Sequence, residues 1–126
     1  MNTPENTINW FEIPVLNFER AKAFYETIFD YQLQEQTIGG YKMGFFPVEK
    51  GGVGGAICQG TDYQPSNKGL RVYFACGKDL TPVMEKIDSA GGKVLMPKTE
   101  IAPDIGFFCF FEDTEGNQLA LHSDPA

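Results

Sequence analysis

Six side chains in this chain of 126 residues have the types and positions to do chemistry on a small molecule. Glu12 lies between Phe11 and Ile13, and a carboxylate stripped of water between such neighbours holds its proton to higher pH. That is what a general base working near neutrality requires. His122 is the only histidine and could complete an acid–base pair with Glu12. The same two residues could instead be two ligands of a nonstandard divalent metal site. Arg71 offers a cation to an anionic ligand, or an ion-pair partner to Glu12. Tyr73, two residues on, shares its strand face, Gln59 is a further polar candidate, and Trp10 supplies a ring wall on the Glu12 face. Plainer readings stay open beside these. Glu12 could be salt-bridged or solvated, and His122, four residues from the end of the chain, could lie in a frayed and exposed terminus.

Positioning these residues takes strands. Residues 7–15 are rich in β-branched and aromatic side chains and read as a strand, with Pro14 marking a terminus or a sheet edge. Asn17 is a suitable N-cap, and Glu19 sits well against the positive end of the helix that follows. Phe18, Ala21, Phe24, Tyr25 and Ile28 keep helical spacing and give that helix one apolar face to about Phe29. Strands are then expected at Tyr31–Thr37, Tyr41–Val48 and Val53–Gln59, with Gly39-Gly40 and Gly51-Gly52 at the turns. Residues 61–68 are polar and turn-rich, a linker.

The pattern then returns. Leu70–Cys76 reads as a strand, and a helix follows, capped by Asp79 or Thr81 and starting at Pro82. Leu80, Val83, Ile87 and Ala90 form its buried face, and Gly91 stops it. Strands are expected at Lys93–Pro97, Gly106–Glu112 and Gln118–Ser123, the last two joined by a tight turn at Asp113-Thr114-Glu115-Gly116-Asn117. The chain is therefore an α+β protein of two tandem βαβββ modules, 7–60 and 69–124, in one domain covering 1–126. Their mixed sheets stand side by side around a central cleft.

Composition narrows the function. A formal net charge of −7 and a pI near 4.6 argue against nucleic acid and anionic membrane as partners. No apolar run approaches the roughly 20 residues that span a bilayer, and the N-terminus has no secretory pattern. Cys58, Cys76 and Cys109 match no zinc or redox spacing and read as reduced buried thiols, which points to the cytoplasm. The glycines at 51, 52, 54 and 55 lack the GK[ST] ending and the helix of a phosphate loop, and belong to a hairpin. Eleven phenylalanines are enough to fill a core and to line an apolar cleft as well.

The segments Trp10-Phe11-Glu12-Ile13-Pro14-Val15 and Glu19-Arg20-Ala21-Lys22-Ala23-Phe24-Tyr25 resemble the opening of the vicinal oxygen chelate superfamily. Ala90-Gly91-Gly92-Lys93-Val94 and Asp113-Thr114-Glu115-Gly116-Asn117 resemble its second half. That group holds glyoxalase I, extradiol dioxygenases and the bleomycin and fosfomycin resistance proteins. The similarity is greatest to small bacterial proteins related to lactoylglutathione lyase. It implies sheets curled around a cleft and, in metal-dependent members, a divalent ion chelating two substrate oxygens.

The ligand positions that this resemblance implies fall here on Trp10, on Arg71 or Val72, on Ala120, and within Gly54–Gln59. Trp, Arg and Ala have no lone pair to give a metal. The expectation is a protein without the usual metal site and with no cofactor, unless a nonstandard divalent ion binds. It would hold a small molecule in its cleft, either with lyase or isomerase chemistry or as a non-catalytic sequestration protein of the bleomycin-resistance type. A homodimer would cover exposed sheet edges.

Overall fold

The computed structural model describes all 126 residues, folded into two four-stranded mixed sheets and two helices. The first module comprises β1 (Trp10–Pro14), α1 (Phe18–Phe29), β2 (Gln34–Ile38), β3 (Tyr41–Phe45) and β4 (Gly54–Gln59). The second comprises β5 (Tyr73–Ala75), α2 (Thr81–Ile87), β6 (Lys93–Ala102), β7 (Gly106–Glu112) and β8 (Gln118–Ser123). The sheets have the same order, β1-β4-β3-β2 and β5-β8-β7-β6, with the first strand of each module parallel to the last. The expected repeat of two βαβββ units is the architecture found. No helix is long and apolar enough to cross a membrane.

Strand alternation divides each sheet into two faces. One face meets the helices. Ile13 and Ile57 from the first sheet, Val15 just past β1, Phe74, Cys109, Phe111, Leu119 and Leu121 from the second sheet, and Phe18, Phe24, Tyr25, Ile28, Leu80 and Ile87 from around the helices belong to one buried cluster. A single core therefore serves both modules. Asn17 caps α1 as its type suggests, accepting from the Arg20 N–H at 3.0 Å, and Asp30 ends the helix in the left-handed conformation.

Several boundaries differ from the expectation, each for a local reason. The chain from Tyr31 to Leu33 turns into the core before β2 can begin: Tyr31 stacks on Phe29, and Leu33 is buried with its N–H on Glu26. β5 shrinks to three residues. β6 runs to Ala102, past Pro97, because it is an edge strand that tolerates a missing donor, and it pays with three register shifts against β7. α2 ends at Ile87 rather than Ala90, and Leu80, not Asp79 or Thr81, stands at its cap position. Asp79 still accepts from the Thr81 N–H at 2.9 Å.

The β7–β8 turn does more than reverse the chain. The Glu115 carboxylate accepts from the backbone N–H groups of Leu16 and Asn17, at 2.9 and 2.7 Å, and from the Arg20 guanidinium at 2.7 Å. Asp113 accepts from the Tyr25 hydroxyl at 2.7 Å and from the Asn117 amide at 3.0 Å. Asn117 also donates to the Pro14 carbonyl and accepts from the Ser66 N–H. A polar clasp thus fastens the second module to the start of α1, the end of β1 and the linker.

Candidate functional site

The faces turned away from the helices carry the polar and aromatic residues of interest. Trp10 and Glu12 project from one side of β1; on its other side Ile13 enters the core, and Phe11 packs against the core while also facing the cleft. Arg71 and Tyr73 approach from the second module. These four residues line a single cleft of about 860 Å³ between the β1 and β5 edges, closed by Phe11, Tyr31, Phe46, Val48 and Phe74 among others. Its size suits a small organic molecule, for which sites of roughly 300–1,000 Å³ are usual. The walls are largely apolar, with a few polar groups set among them.

Glu12 is exposed, not stripped of water between Phe11 and Ile13. Its two oxygens are each engaged. Oε1 accepts from the Tyr63 hydroxyl at 2.6 Å, and Oε2 from the Trp10 indole N–H at 3.3 Å. The bond to Glu12 is the main reason that the Tyr63 phenol is held above its ordinary value. Cys58 lies close by on β4; burial first, and then the Glu12 charge, push its thiol up to about 12, so it stays protonated. Tyr63 comes from the linker. Tyr41 packs edge-on against it at 5.8 Å and is itself bonded to Asp62 at 2.6 Å.

Arg71 does not pair with Glu12. None of the protein's ion pairs includes it. Its guanidinium instead lies over the Phe110 ring, 3.9 Å from the centroid, while Tyr73 meets the same ring edge-on at 6.3 Å. Phe110 stands beside Ala120 in the β7–β8 ladder, and Ala120 beside Tyr73 in the β5–β8 ladder, so this platform is built by three adjacent strands.

Two of the sequence candidates are placed elsewhere. His122 does share the Ala120 face of β8, but its Nε2 is 2.9 Å from the Ile105 carbonyl, at the β6–β7 turn, and it does not line the cleft. Glu12 and His122 are not brought together as an acid–base pair. Gln59 points to the helix side, where its amide oxygen accepts from the Phe18 N–H at 2.6 Å and caps α1. Its acceptor is spent on fold. Tyr63, by contrast, holds the cleft carboxylate Glu12, a role that reading 61–68 as a linker passed over. It is the one aromatic ring in an otherwise polar segment, which is the only signal the sequence offered.

The model of the Glyoxalase/Bleomycin resistance protein/Dioxygenase superfamily matches residues 7–121. The chain belongs to that superfamily. A glyoxylase-like domain-containing protein from Didymella fabae is 32% identical over 128 residues, covering 94% of this chain and 94% of its own length. Among solved structures, a glyoxalase/bleomycin resistance protein from Albidiferax ferrireducens T118 superposes with a TM-score of 0.74 at 16% identity, over 95% of this chain and all of the other. Glyoxalase I from Zea mays gives 0.71 at 17% identity over 94% of this chain, which spans only 44% of the maize chain. A mutant fosfomycin resistance protein from Listeria monocytogenes, complexed with manganese, gives 0.66 at 18% identity, over 95% of this chain and 90% of that one. At such identities the structural likeness establishes the superfamily's fold and nothing finer.

The superfamily raises the question of a divalent metal. No group of three or more His, Cys, Asp or Glu residues stands together anywhere in the chain. Along the cleft the one carboxylate, Glu12, is already bonded by Tyr63 and Trp10, and Ala120 and Arg71 offer no donor. This donor set does not fit a chelated divalent ion.

Proposed function

We propose that this superfamily member binds a small, ring-bearing organic molecule in the cleft between its modules, with the usual metal-ligand positions lost. The observation that supports this reading is the roughly 860 Å³ cleft, walled by Trp10, Phe11, Phe46, Tyr73 and Phe74 and furnished with few polar groups. Apolar walls with sparse anchors are what sequestration needs, and it needs no metal. Trp10 is half-exposed at 44%, so a ligand can cover its ring. A homodimer and a cytoplasmic location belong to the same proposal, and sedimentation and cell fractionation test them.

N-phenylnaphthylamine, a neutral fluorescent ring compound, is a suitable probe. It should bind wild-type protein, and Trp10→Ala should weaken binding about tenfold, in keeping with the loss of a large buried aromatic contact. An unchanged affinity in Trp10→Ala contradicts the proposal. Elemental analysis of protein purified without chelator or affinity tag should find far less than one metal per chain. Near-stoichiometric zinc, nickel, manganese or iron contradicts the loss of the ligand positions.

A catalytic reading is favoured by one specific contact, the 2.6 Å bond between Glu12 and Tyr63. In it Glu12 takes a proton from the bound molecule and Tyr63 keeps the carboxylate aimed at it, as in lyase or isomerase chemistry.

A further inference from the structure

We infer that the ligand of this cleft is a ring-bearing organic anion, its negative group held by Arg71 and its rings by the aromatic wall. This rests on the binding reading above and goes further by assigning a charge and an anchor. Two charged groups face the cleft, Glu12 and Arg71, and they differ in what remains for a ligand. Both Glu12 oxygens already accept hydrogen bonds within the protein. Arg71 has no ion-pair partner, and its guanidinium carbon lies over the Phe110 ring, 3.9 Å from the centroid, close enough to stack.

Stacking fixes the plane of a guanidinium and leaves its N–H fork directed outward along the edges, the geometry that meets a carboxylate, sulfonate or phosphonate in pairs. Tyr73 meets the same Phe110 ring edge-on at 6.3 Å and is itself a cleft residue. The orientation is set before binding, so little side-chain freedom is lost when the anion arrives. A chain of net charge −7 repels small anions in general. A ligand that reaches Arg71 must therefore also gain from the apolar walls, which selects a ring-bearing anion over a bare inorganic one.

The test compares two probes with one skeleton: anilinonaphthalene sulfonate, which is anionic, and N-phenylnaphthylamine, which is neutral. Arg71→Met keeps an apolar stem on Phe110 and removes the charge. The anionic probe should bind this variant about tenfold more weakly than wild type, the loss of a charge-assisted bond. The neutral probe should bind both proteins equally, which also shows that the variant is folded. Added salt screens attraction to Arg71 in wild type but only the chain's general repulsion in Arg71→Met, so it should disfavour the anionic probe on wild type relative to the variant. Equal affinity of the anionic probe for both proteins overturns the anchor while leaving the binding reading intact. Failure of both probes to bind wild type overturns the binding reading, and the anchor with it.

Discussion

At the scale of residues, the site is defined by which polar groups are satisfied. Glu12 was legible as a cleft residue because it alternates with Phe11 and Ile13, and the same alternation placed Trp10 beside it. What could not be read was the partner: Tyr63 stands 51 residues away, and no periodicity links the two. His122 shows the converse error. Its face on β8 was readable, but the Ile105 carbonyl that holds its ring belongs to a turn whose path the sequence does not specify. Gln59 failed for a related reason, since the N-terminus of the helix that follows the neighbouring strand β1 claimed its oxygen. The role of Glu12 can be tested directly. Glu12→Gln keeps the side-chain shape and an acceptor for Tyr63, so affinity for N-phenylnaphthylamine should change by less than about threefold. If the protein turns over a substrate, the same substitution should lower the rate roughly 100-fold or more.

At the scale of elements, the β7–β8 turn joins the modules. Its type was readable, since Gly116 takes a positive φ of 89°. Its second role was not, although a turn needs neither two carboxylates nor an Asn that bonds on three sides. The two acids respond to pH in opposite directions. Burial raises Asp113 above its ordinary value, so its charge costs stability as pH rises through the folded value, and it stabilises at lower pH. For Glu115, burial pushes upward too, but Arg20, the Asn17 and Leu16 N–H groups and Thr114 outweigh it and hold the carboxyl below its ordinary 4.5. Its stabilisation is therefore present above about pH 4.5 and is lost as pH falls through the lowered folded value. Glu115→Gln should cost about 2 kcal/mol at neutral pH, because charge-assisted bonds to a buried acceptor are lost. The variant should also lose less stability than wild type on acidification below that value. Urea denaturation at several pH values measures both, and parallel pH profiles would contradict the assignment.

At the scale of the whole molecule, the fold was legible because the chain states its plan twice. Two amphipathic helices, each preceded by an apolar strand and followed by three more, leave little choice but two sheets sharing a helical layer. Edge strands were read less well: β6 extends five residues beyond Pro97, because an edge accepts the irregularity that a central strand would refuse. The cleft arises where β1 and β5, both edge strands of their sheets, approach each other without pairing. That is a property of the assembled modules, and it explains why no local motif announced it. It also makes Trp10 a useful reporter, since this single tryptophan stands on the cleft wall with its indole N–H on Glu12. In a nitrogen–proton correlation spectrum it should give one indole resonance. On titration with N-phenylnaphthylamine that resonance should shift and saturate together with the amides of Phe11, Tyr73 and Phe74. An indole signal that stays in place while the probe binds would contradict the assignment of this cleft as the binding site.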